Sequence, residues 1–109
     1  ITIRGFDLIF KKENNFYKVQ SKLRQVKGVD SFSCQISVSK NKNEPYLKDD
    51  FDYLFVSLVN IKNGYHNRSN INNWVFSFIP VKELIKNNNK YLIKEVPGNL
   101  LKKYEIKFN

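Results

Sequence analysis

The sequence predicts a single α/β domain, built on a mixed central β-sheet with few flanking helices. Its 109 residues are too few for two independent cores. Hydrophobic residues make up 41% and aromatics 15%, enough to build one core and too many for a disordered tail. Most apolar runs are short and alternate with polar residues, the period of a strand. Only Pro80 followed by Val81, Leu84 and Ile85 has the spacing of a short helix, with proline in its first turn.

Phe6–Phe10 and Phe16–Leu23 read as two strands of a hairpin, joined by the turn Lys11-Lys12-Glu13-Asn14-Asn15. Gly28 marks the next turn. Ser31–Ser39 alternates, with Phe32, Cys34, Ile36 and Val38 on one side, as a half-buried strand does. Asn41–Asp50 is a polar loop around Pro45. Tyr53–Val59 is almost continuously apolar, which predicts a central strand covered on both faces. A second polar loop, Lys62–Asn73, leads to a strand at Trp74–Ile79. After the short helix, ended by Asn87-Asn88-Asn89, come a strand at Tyr91–Val96, a turn at Pro97-Gly98 and a last strand or mixed segment at Leu100–Phe108.

Nineteen Lys and Arg against ten Asp and Glu give a net charge of +9, so a polyanion is the partner to expect. The excess sits in two blocks: residues 11–48 balance to +6 and residues 82–109 to +4. A Lys- and Asn-rich composition alone would also raise the charge. One cysteine, Cys34, rules out an intrachain disulfide framework and a cysteine-based zinc site. One histidine, His66, leaves no His-His metal site. No run approaches the ~18 apolar residues of a membrane span, and no signal peptide is visible, so a reducing cytoplasm is the expected compartment. The sequence opens on Ile1 in what reads as a strand, so an N-terminal piece is expected to be lacking.

The informative constellation is Asp7 in the first strand with Gln20-Ser21-Lys22 in the second. Gln20 and Lys22 are two apart and project from one face, and a hairpin brings Asp7 within cross-strand reach. A carboxylate, an amide oxygen and an ammonium on one spot suit metal-dependent phosphodiester hydrolysis. Mg²⁺ takes hard oxygen ligands, here Asp7, Gln20 and the carbonyl of Ser21. Lys22 would hold the attacking water and stabilise charge developing on phosphorus, so no histidine base is needed.

These residues resemble the PD-(D/E)XK nucleases, in the variant with a Gln-x-Lys second motif. Phe16-Tyr17-Lys18-Val19-Gln20-Ser21-Lys22 is similar to the VQVK strand of the restriction and homing endonuclease branches. Tyr46, Asp49-Asp50-Phe51-Asp52-Tyr53-Leu54-Phe55-Val56 and Trp74-Val75-Phe76-Ser77-Phe78-Ile79-Pro80 resemble the runs that follow it, so the likeness covers about residues 5–85. It departs from the family at Gly5-Phe6-Asp7, where many members have Pro-Asp, and in lacking the usual N-terminal helix with its Glu. The resemblance implies a restriction-endonuclease-like domain over residues 1–109, with Mg²⁺ as cofactor, DNA as substrate and a homodimer to cut both strands. Asp7, Gln20 and Lys22 become the catalytic set, and Lys40, Lys42 and Arg68, in loops, the phosphate contacts. Two other readings stand beside it: a DNA-binding module of this fold without catalysis, and a small β-rich domain that binds RNA or protein.

Structural roles are expected for the rest. Cys34 reads as core, and His66 as a solvated loop residue. Phe51, Tyr53, Phe55, Trp74, Phe76 and Phe78, at spacing two, read as core rather than a base-stacking platform. Asp49, Asp50 and Asp52, just before a buried strand, read as structural rather than metal ligands.

Overall fold

The computed structural model describes residues 8–27, 35–39, 44–61, 74–87 and 92–107. In chain order these form strands β1 (Leu8–Lys12), β2 (Asn15–Lys27), β3 (Ile36–Ser37), β4 (Tyr46–Leu47), β5 (Tyr53–Ile61) and β6 (Trp74–Pro80), and helix α1 (Val81–Asn87). Strands β7 (Leu92–Ile93) and β8 (Glu95–Val96), helix α2 (Gly98–Lys103) and strand β9 (Glu105–Ile106) complete them. The result is a mixed α/β domain, mostly strand, with two short helices among the described residues.

The main sheet has the order β1-β2-β5-β6-β9, with β2 and β5 parallel and every other neighbouring pair antiparallel. The β1–β2 hairpin closes at Lys12↔Asn15, so Lys11 and Lys12, expected in the turn, are strand residues. Only Glu13 and Asn14 lie between the strands. Glu13 takes φ 59°, the left-handed conformation that two-residue hairpin loops use to match strand twist. β2 runs four residues past Leu23, because a parallel ladder with β5 continues from Val19↔Tyr53 to Lys27↔Ile61.

One face of this sheet carries the core. Leu54, Val56 and Leu58 of β5 are fully buried there, with Ile79 of β6 beside them. A layer made of β3, β4, β7, β8 and both helices covers this face through Ile36, Tyr46, Leu84, Ile93, Val96 and Leu101. Burying one such aliphatic side chain stabilises the fold by about 1.5–3 kcal/mol. α2 is tied down as well as packed, since the buried Ser77 hydroxyl donates to the Leu101 carbonyl at 2.6 Å. The Tyr104 phenol, just past α2, is held above its ordinary pKa by desolvation and then by its hydrogen bond to Glu83.

The opposite face departs from expectation. Phe10, Tyr17, Tyr53, Phe55, Trp74, Phe76 and Phe78 are all half-buried and lie outside the core cluster. They pack on one another instead: Tyr53 stacks on Phe78 at 4.6 Å, Phe55 on Phe76 at 5.8 Å and Trp74 on Phe76 at 6.0 Å between ring centroids. Of the six aromatics expected in the core, only Phe51 is there, 1% exposed and edge-on to Tyr46. The reason is the strict period of two. Odd-numbered residues of β5 point away from the covering layer; on that face Tyr53 and Phe55 pack against aromatic rings, and the buried Val19 and Val59 lie opposite Tyr53 and Trp74.

Three further expectations change. The Asn41–Asp50 segment is not all loop, because Tyr46–Leu47 forms β4 against β7. The single strand expected at Tyr91–Val96 is two, β7 and β8, in separate two-stranded sheets. Pro97-Gly98 opens α2 rather than making a free turn, with the Pro97 carbonyl accepting from Leu100 and Leu101. Cys34, Gly28, His66 and the Lys62–Asn73 loop lie outside the described residues. Among the described residues no helix is long and apolar enough to cross a membrane.

Candidate active site

β2 positions the candidate residues. Its sequence alternates, with residues 15–19 paired to β1 and residues 19–27 to β5, so side chains two apart share a face. Gln20 and Lys22 stand opposite Leu54 and Val56, two fully buried residues, and therefore project from the covered face of the sheet. Gln20 is buried, at 7% exposure, and its amide nitrogen donates to the Ser21 carbonyl at 3.3 Å. Lys22 is half-buried. Its ammonium donates to the Ser39 carbonyl at 2.9 Å and lies 5.1 Å from the centre of the Tyr46 ring. A hydrogen bond and a ring face together fix where this cation stands.

Of the residues singled out from the sequence, the structure brings Gln20, Ser21 and Lys22 together along one strand. Asp7, Lys40, Lys42 and Arg68 lie outside the described residues. Among the described residues no cluster of three or more His, Cys, Asp or Glu side chains is placed to hold a metal ion. The oxygen donors this strand offers a hard cation are the Gln20 amide and the Ser21 carbonyl, neutral groups that need a carboxylate beside them to bind Mg²⁺.

Two of the acidic trio next to β5, Asp50 and Asp52, serve the backbone, while the Asp49 carboxylate pairs with the Lys48 ammonium. Asp52 accepts the Lys18 backbone N–H at 2.8 Å, and its own N–H donates to the Lys18 carbonyl at 2.8 Å. Asp50 accepts the Leu47 N–H at 2.9 Å, closing the turn after β4. The Asp49 carbonyl accepts the Lys18 ammonium at 2.8 Å. These bonds clamp the start of the parallel β2–β5 pair. Asp52→Ala is expected to cost about 1.5–3 kcal/mol, the range for hydrogen bonds to charged groups. Asp52→Asn, which keeps an acceptor, should recover most of it, as urea denaturation of the two variants would measure.

Two charged residues at this end of the sheet escaped the motif reading. Arg24 continues the series Gln20, Lys22, Arg24 on the same face, opposite the buried Leu58. Its Nε donates to the Ser37 carbonyl at 3.0 Å. The period-two signal that links Gln20 to Lys22 extends to Arg24 just as well, but the motif stops at the lysine. Lys94 lies between β7 and β8, and its carbonyl accepts the Val38 N–H at 2.8 Å. No local pattern connects it to β2; β3 stands between them, its Ser37 and Ser39 carbonyls accepting from Arg24 and Lys22 and its Val38 N–H donating to the Lys94 carbonyl. No protein-family model, curated protein or solved structure matches this chain.

Proposed function

We propose that the chain is a Mg²⁺-dependent DNA endonuclease of the restriction-endonuclease-like, PD-(D/E)XK type, working as a homodimer. The observation that supports this reading is the pairing of Gln20 and Lys22 on one face of β2, beside the antiparallel strand that leads back to Asp7. The antiparallel register is seen as far as Leu8↔Val19. The next residues along the two strands are Asp7 and Gln20, so the reading requires that register to run on by one step.

In this reading Asp7, Gln20 and the Ser21 carbonyl would hold Mg²⁺, which when bound would supply an acidified water and offset the phosphate's charge. Lys22 orients the attacking water by hydrogen bonding and stabilises negative charge as it builds on the phosphoryl oxygens. The Ser39 carbonyl and the Tyr46 ring hold that ammonium still, which lowers the cost of ordering it when DNA binds. Lys40, Lys42 and Arg68 contact phosphates and set the register of the duplex.

A second reading, a DNA-binding module of the same fold without catalysis, draws on the burial of Gln20, whose 7% exposure leaves little of its amide to solvent. Incubation with a plasmid library of random inserts separates the two. Nicked and linear products that need Mg²⁺ and vanish with chelator are expected. Binding without products in any divalent metal would favour the module. Partner class is tested by salt: with about five phosphates neutralised, log affinity for duplex DNA should fall against log salt with a slope of about −4.5. A slope near zero would remove nucleic acid from the reading.

A further inference from the structure

A hollow of about 240 Å³ lies at one end of the aromatic face, lined by Tyr17, Asp52, Tyr53, Pro80, Val81 and Lys82. Two of its walls are rings. Tyr17 is backed by Phe10 at 5.1 Å and Tyr53 by Phe78 at 4.6 Å, so neighbouring rings hold both in place. The two stand at 69° to each other with centroids 5.7 Å apart, and so form a corner rather than a stack. Asp52 brings a carboxylate, whose Oδ2 accepts the Lys18 N–H at 2.8 Å. Among the described residues its Oδ1 has no hydrogen-bond partner. The Val81 N–H donates to the Asp52 carbonyl at 2.9 Å, which ties the start of α1 to this corner. Lys82, the next residue, is exposed and has no ion pair among the described residues.

We infer that this hollow binds one unpaired nucleobase of a single strand, stacked on a tyrosine ring, its amino group donating to Asp52 and its adjoining phosphate at Lys82. The inference rests on the nucleic-acid reading above, and it adds a contact on the face of the sheet opposite Gln20 and Lys22. The volume is below the ~300–1,000 Å³ of pockets that enclose a drug-sized ligand, and it suits one planar ring system. One carboxylate and one ammonium leave the hollow neutral. That balance fits a nucleotide, with a donor at one end and an anion at the other, better than a bare phosphate. Every base can stack on an aromatic ring, so the tyrosines alone select no sequence. Selection comes from the carboxylate, which only accepts. Adenine, cytosine and guanine each carry an amino donor for it. Thymine offers only an N–H set between two carbonyl oxygens, which a carboxylate repels.

The test is fluorescence-anisotropy affinity, without divalent metal, for labelled octamers of deoxyadenylate, deoxycytidylate and thymidylate and for a duplex of mixed sequence. The full chain should bind the adenine and cytosine octamers about tenfold more tightly than the thymine octamer, the effect of one hydrogen bond to a charged group. Asp52→Asn keeps an acceptor for the Lys18 N–H and turns the other end of the side chain into a donor. Preference should then pass to thymine, whose carbonyls accept. Loss of a merely structural clamp would weaken all octamers alike and reverse nothing. Tyr17→Leu should weaken every octamer about tenfold through lost stacking. Lys82→Gln should lower the salt slope by about 0.7, the share of one phosphate on a single strand. If Tyr17→Leu fails to fold by circular dichroism, Asp52→Asn and Lys82→Gln carry the test. Duplex bound without octamers, or octamers bound with equal affinity by parent and Asp52→Asn alike, would overturn the base pocket and leave the DNA reading standing. A parent that binds neither octamers nor duplex would overturn both.

Discussion

Lys22→Met is expected to slow DNA cleavage by about a hundredfold to a thousandfold, the usual cost of removing one preorganised charge from a developing oxyanion. Methionine keeps an unbranched stem against the Tyr46 ring and removes only the ammonium. The Ser39 carbonyl loses its donor, so stability should also fall, by about 1.5–3 kcal/mol, and cleavage is compared under conditions where both proteins are folded. Asp7→Ala is expected to abolish cleavage altogether, because the remaining donors on β2, the Gln20 amide and Ser21 carbonyl, are neutral and hold Mg²⁺ weakly. Both variants should bind duplex DNA within a few-fold of the parent if the phosphate contacts are carried, as proposed, by Lys40, Lys42 and Arg68. Single-turnover cleavage beside equilibrium binding reads the two effects apart. If either variant cuts at the parent's rate, the assignment of these residues is wrong, whatever the fold.

The hairpin, the central strand, the short helix after Pro80 and the common face of Gln20 and Lys22 were legible in the sequence, because each depends on local period and turn chemistry. What was not legible depends on partners distant in the chain. Tyr46 lies in a polar stretch that has no strand pattern, and it is buried only because Ile93 pairs with it. α2 spans six residues, with Leu100 and Leu101 adjacent rather than spaced around a helix, so no 3.6 period exists to detect. The positions of Arg24 and Lys94 relative to each other are likewise set by β3 and the strands around it.

The two faces of β5 illustrate the same limit in its sharpest form. An almost continuously apolar run says that both faces avoid water, but not which one receives the second layer. Even-numbered residues here meet helices and small sheets, whereas of the odd-numbered ones Tyr53 and Phe55 meet the Phe78 and Phe76 rings and Val59 lies opposite Trp74. The aromatic choice has its own logic. Large flat side chains stacked across neighbouring strands bury much of their surface in one another without needing a covering layer.

That asymmetry predicts unequal costs for two adjacent substitutions. Leu54→Ala is expected to destabilise the domain by about 2–5 kcal/mol, because Leu54 has no exposed surface and its loss leaves a cavity under the α/β layer. Phe55→Ala removes a larger side chain, and a fully buried phenylalanine would cost about 3–5 kcal/mol. Phe55 is only half-buried, and its contacts are the Phe76 and Phe78 rings at 5.8 and 6.4 Å. Its truncation opens a space that water enters and neighbouring rings relax into, so a smaller loss, about 1–2 kcal/mol, is expected. Urea denaturation of both variants in the same buffer gives the comparison directly, with the linear dependence on denaturant checked for an unchanged slope. Leu54→Ala should be the more damaging despite the smaller deletion. If Phe55→Ala instead costs as much as a fully buried ring, the aromatic face is sealed in solution by a further layer of protein, and β5 is a strand covered on both sides as its apolar run predicts.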